Sequence, residues 1–129
     1  MRGAARGPSR LGIRAATELF GLTQRAIRYY EEVGLVSALR GLRNDRYFDS
    51  EGRLRLAWIS RLRAAGISLA EIKVILQALE RGDDAAGQAR RQLLARRLEV
   101  ESSLQRVEDL IAAVAAEKKV GDTLRWPRR

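Results

Sequence analysis

The sequence has no cysteine and no histidine. The first absence excludes disulfide scaffolds, zinc fingers, iron–sulfur clusters, thiol redox chemistry and cysteine nucleophiles. It also permits a cytoplasmic location. The second removes the commonest general base at neutral pH. No apolar run approaches the roughly 18 residues that a membrane span needs. Residues 1–10 are basic but lead into no apolar stretch, so they do not read as a signal peptide. There is no internal repeat and no glycine-rich phosphate loop, since Gly3 and Gly7 do not lie between a strand and a helix. With no clustered carboxylate pair either, the composition argues against an enzyme.

What is present is charge. Lys and Arg number 25 against 16 acids, giving a net charge of +9 over 129 residues. That length holds one domain, or one small domain with an appendage. Apolar residues at 46% suffice for a modest core, and charged residues at 32% exceed the usual level of about 25%. A basic balance of this size suits a polyanion: nucleic acid, or less often an anionic membrane surface. The excess is spread along the chain, with +3 in residues 1–10, +1 in 11–50, +3 in 51–81 and +2 in 82–129. A positive surface must therefore come from arrangement in space.

Residues 1–10 read as a flexible basic arm. Ile13, Ala16, Leu19 and Phe20 then recur at helical steps until Gly21 stops the helix. Thr23 is a good N-cap for a second helix whose buried side is Ala26, Ile27 and Tyr30, ended by Gly34. Two short helices with a tight turn between them make a helix-turn-helix. Residues 35–49 predict a two-stranded wing around a turn at 41–45. Asp49 or Ser50 caps a third helix with Leu54, Ala57, Trp58, Leu62 and Ala65 as its apolar face, closed by Gly66. Ser68 to Glu71 is a capping box for a fourth helix that turns Ile72, Ile75, Leu76 and Leu79 inward. Gly82 ends it, and Asp83 or Asp84 caps the next element.

From residue 84 to 118 there is no proline and only one glycine, Gly87. Val100, Leu104, Val107, Ile111 and Val114 follow a heptad, and Leu93 lies one heptad earlier with Arg97 interrupting. A helix about 45 Å long cannot bury such a stripe against so small a domain along its whole length. A second copy of the chain is the expected cover. Folding back onto its own domain is the alternative. Residues 121–129 form a short basic tail, in which Trp126 and its neighbouring arginines offer a contact patch or a frayed end.

The residues with chemistry to offer cluster on the second helix. Gln24 and Arg25 stand near its N-terminus, where a reading helix reaches base edges or phosphates. Arginine reads guanine bidentately or binds phosphate. Tyr29, one turn on, presents a hydroxyl that can donate to phosphate. The plain alternative is an amphipathic helix with solvated arginines and core tyrosines.

The run Arg28-Tyr29-Tyr30-Glu31-Glu32-Val33-Gly34-Leu35, the wing Arg46-Tyr47-Phe48-Asp49 and the segment from Leu62 to Ile72 resemble the DNA-binding domain of the MerR family of transcription regulators. The resemblance spans Ile13 to Leu79, about half of the chain. It implies a mostly α fold: a winged helix-turn-helix over residues 11–82, then a long antiparallel coiled-coil dimerisation helix over 83–120. It also implies a homodimer on a near-palindromic operator, with promoter distortion as one mode of action and RNA polymerase as a further candidate partner. Distorting DNA costs on the order of 1–10 kcal/mol, so both half-sites must be anchored through phosphates.

Carried over residue by residue, Arg25, Arg28 and Tyr29 match DNA-facing positions. Arg46 and Phe48 match the wing arginine and the aromatic that packs it. Arg14, Thr23, Gln24, Arg40, Arg43, Tyr47, Arg61 and Arg63 complete the expected DNA-binding set, with a solvated surface as the alternative for the last two. Leu93, Val100, Leu104, Val107, Ile111 and Val114 are the expected dimerisation set. Two departures stand out. Thr17 occupies a position usually held by alanine, and Asn44-Asp45 replaces the wing's usual Gly-Tyr, placing a carboxylate near expected phosphates. Trp58 fits the core better than a stacking platform. Family sensors of metal or redox state use cysteines, so no metal, cofactor or small-molecule effector site is expected. Regulation through abundance, protein partners or promoter competition is expected instead. Two other readings remain at this level: an architectural or excisionase-like recombination accessory protein, and a basic RNA- or ribosome-associated protein.

Overall fold

The computed structural model describes residues 10–120. The predicted arm, apart from Arg10, and the predicted tail with Trp126 lie outside the described residues. The chain divides into two compact units that meet between Gln92 and Leu93.

In the first unit the elements run β1 (Leu11–Gly12), α1 (Ile13–Phe20), α2 (Gln24–Glu32), β2 (Leu39–Arg40), β3 (Arg46–Phe48), α3 (Ser50–Ala64) and α4 (Leu69–Arg81). The opening turns of α5 (Ala85–Val120) follow. The strands form one antiparallel sheet in the order β1-β3-β2. Leu11 pairs with Phe48 on one side of β3, and Leu39 with Tyr47 on the other. The expected wing is therefore present, with a third strand that sequence pattern did not reveal. Two residues carry no periodicity, and β1 is a strand only because β3 offers it a partner.

Local chemistry sets most helix ends. Asp49 caps α3 by accepting from the Gly52 N–H at 3.0 Å. Ser68 and Glu71 close the capping box of α4, and Gly82 ends that helix in the left-handed region. Asp84 accepts from the Gly87 N–H at 2.9 Å at the start of α5. Each bond satisfies a backbone donor that the first helical turn leaves unpaired.

The core gathers Ile27, Leu35, Phe48, Leu56, Ile59, Ile67, Ile72, Ile75 and Leu76, all fully buried. It corrects the predicted face of α3. Ile59 is 0% exposed, Leu54 is 47% exposed, and Ala65 is exposed. Apolar residues occupy two stripes of α3, and periodicity alone could not choose between them. Leu62 belongs to the buried stripe, while Trp58 is half-buried against the core. On α1, Ala16 is buried and Leu19 is exposed. Ala85 and Ala89 of α5 also enter this core.

From Leu93 onward the described chain is helix alone. The predicted seam residues Leu93, Val100, Leu104, Val107, Ile111 and Val114 are all exposed in the single chain. Among the described residues no helix is long and apolar enough to cross a membrane.

Candidate nucleic-acid interface

The turn between α1 and α2 is built around Gly21, whose φ of 64° lies in the left-handed region that glycine adopts without a Cβ penalty. The backbone N–H groups of Gly21 and Leu22 donate to the Thr17 carbonyl. Thr17, one of the two departures from the family pattern, donates its own hydroxyl to the Arg14 carbonyl at 2.6 Å. Its side-chain donor is thus satisfied within α1 and leaves the turn undisturbed.

Thr23 caps α2 by accepting from the Ala26 N–H at 3.0 Å. Ile27 and Tyr30 face the core. Gln24, Arg25, Arg28 and Tyr29 are exposed together on the other side, at the three- and four-residue spacings that place side chains on one helix face. The structure therefore brings this part of the expected set into one polar surface, with two cations, an amide and a phenol. Arg55 donates from Nε to the Leu35 carbonyl at 2.7 Å, tying the segment after α2 to α3.

In the wing, the Gly41 N–H donates to the Asp45 carbonyl at 2.8 Å and the Asn44 N–H donates to the Gly41 carbonyl at 3.0 Å. Asn44 takes the left-handed conformation at φ 64°, which asparagine tolerates better than most residues. It thereby fills the backbone role of the glycine expected there. Arg40 is turned back onto its own hairpin, donating to the Asn44 carbonyl at 3.0 Å. Arg46 forms an ion pair with Glu31 at the end of α2. Tyr47 is half-buried, with the Arg10 guanidinium 4.5 Å from its ring centre. Arg43 is exposed and, among the described residues, makes no hydrogen bond or ion pair. Asp45 is exposed as well.

Arg14, Arg61 and Arg63 are exposed. Arg63 donates to the Ile67 carbonyl at 2.9 Å across the end of α3. Sequence reasoning missed Glu31 and Arg10 as parts of this surface. The Glu31–Arg46 pair joins residues fifteen apart on different elements, and no local spacing signals it. Among the described residues no group of three or more acidic, histidine or cysteine side chains is placed to hold a metal ion.

Comparison with known proteins agrees with this architecture. A family model described as a MerR HTH family regulatory protein matches residues 11–79, and one described as MerR, DNA binding matches residues 53–116. The chain is 28% identical over 100 residues to the HTH-type transcriptional regulator HmrR of Rhizobium leguminosarum bv. viciae, covering 78% of each. The HTH-type transcriptional regulator SkgA from Caulobacter crescentus superposes with a TM-score of 0.61 at 26% identity, over 92% of this chain and 84% of that one. HiNmlR, a MerR family regulator lacking the sensor domain and bound to promoter DNA, gives a TM-score of 0.61 over 87% and 91%. At 20% identity it speaks to the fold alone.

Proposed function

Because this chain belongs to the MerR family of helix-turn-helix, DNA-binding transcriptional regulators, we propose that it acts as a homodimer on a near-palindromic duplex operator and regulates by distorting promoter DNA. In this reading α2 lies in the major groove and presents Gln24, Arg25, Arg28 and Tyr29. The wing holds the flanking backbone, and Arg14, Arg61 and Arg63 extend the positive surface. RNA polymerase is the partner that a distorted promoter serves.

The observation that carries the dimer is the bare stripe on α5. Six apolar side chains at heptad spacing are exposed, and water-exposed seams of this kind are stable only against another helix. An antiparallel second copy is the cover that this reading adopts. Two reading helices yoked in this way match the two-fold symmetry of a palindromic site.

The test selects binding sites from a random duplex pool with the full chain, alongside sedimentation. Enriched inverted repeats, and a mass of two chains, are the expected result. Single-copy sites bound by a monomer would overturn the reading. Bending is tested on the selected site by circular-permutation mobility.

A further inference from the structure

The wing uses its arginines unequally. Arg40 clasps the Asn44 carbonyl, and Arg46 is held by Glu31, with side-chain exposures of 27% and 15% for that pair. Drawing Arg46 away to a phosphate would strand a half-buried carboxylate next to incoming negative charge, an arrangement that is costly for both groups. At the apex the situation is reversed. Leu42 is fully exposed at 103%, and Arg43 beside it is unpaired among the described residues. Exposed leucines are common singly, but tight turns favour Gly, Asn, Asp and Ser. This leucine sits on a turn held by two backbone hydrogen bonds and one side-chain clasp. An apolar side chain on a braced tip beside a cation suits the minor-groove edge, where proteins place apolar wedges against sugars and base steps.

We propose that the wing meets DNA through its tip, Leu42 packing on the minor-groove sugar edge and Arg43 taking the adjoining phosphate, while Arg40 and Arg46 are positioning residues that brace it. This rests on the reading that α2 and the wing face duplex DNA. It reassigns Arg46 from the expected DNA-binding set to a brace and adds Leu42, a residue that the family resemblance did not single out.

The test uses a duplex that the unaltered chain has selected from a random pool, with affinity measured across a salt series. Leu42→Ala should weaken binding about tenfold with the salt slope unchanged. Arg43→Gln should weaken it by about three- to tenfold and lower the slope by about one. Both variants should melt as the parent does. Glu31→Arg and Arg46→Glu should each impair binding singly, and the charge-reversed double variant should recover it with the parental slope. Glu31→Gln, which keeps the shape, serves as the milder probe of the brace. The proposal falls if Leu42→Ala and Arg43→Gln both bind within about twofold of the parent. It also falls if Arg46→Gln lowers the salt slope and charge reversal rescues nothing. A parent chain that selects no duplex would remove the DNA reading together with this assignment, whereas selection with indifferent tip variants would remove this assignment alone.

Discussion

Thr23 stands at the entry of α2, where its side chain satisfies the Ala26 N–H. Thr23→Ala should cost about 0.5–2 kcal/mol of stability by loss of that cap, read as a lowered melting midpoint, and Thr23→Ser should restore most of it. Two exposed positions of the same helix carry different chemistry. Arg25→Ala should cost about 1–3 kcal/mol of binding if its guanidinium reads a base edge, and the loss should depend on the sequence of the duplex. Tyr29→Phe removes only a hydroxyl and should cost less, evenly across sequences. Titrations on selected and scrambled duplexes separate the two, with circular dichroism to show that α2 is intact. These residues were legible from the sequence because caps and exposed cations on a short helix are local features. The engagement of Arg40, Arg46 and Tyr47 was not, because each depends on a partner brought in by the turn or by another element.

Among the elements, α3 discriminates best between pattern and packing. Ile59 is fully buried, and Ile59→Ala should destabilise the chain by about 2–5 kcal/mol through lost burial and a residual cavity. Leu54→Ala, on the stripe that the periodicity favoured, should cost less than about 1 kcal/mol. Chemical denaturation of the two variants measures the difference, and equal losses would place α3 in the other orientation. The seam of α5 has a different dependence. Val107→Asp with Ile111→Asp should leave the first unit folded and yield a monomer by sedimentation, since both residues are exposed in the single chain and a buried unpaired carboxylate is costly only at an interface. A dimer that survives the double substitution would move the interface elsewhere.

For the molecule as a whole the governing quantity is charge. With an excess of nine positive charges spread over the whole sequence, counterion release is expected to contribute strongly to DNA binding. Affinity for duplex should fall steeply and log-linearly with salt, measured by fluorescence anisotropy between low and physiological ionic strength. If two copies grip one site, the monomeric α5 variant should lose affinity and show roughly half the parental slope. A salt response that is flat, or the same in both proteins, would remove the paired phosphate grip as the main source of affinity.

Features settled within a few residues could be read from the chain before any packing was known. Thr23, Asp49, Ser68 and Asp84 mark helix starts, Gly21 and Gly82 mark stops, and the apolar faces of α2 and α4 follow from spacing. The length and exposed seam of α5 follow from the same spacing and from the absence of helix breakers. Three outcomes needed the folded molecule: Leu11–Gly12 is a strand, α3 buries Ile59 rather than Leu54, and Arg46 belongs to Glu31. In each of these the deciding partner is distant along the chain. The free energy of such a choice resides in the contact formed rather than in either residue alone.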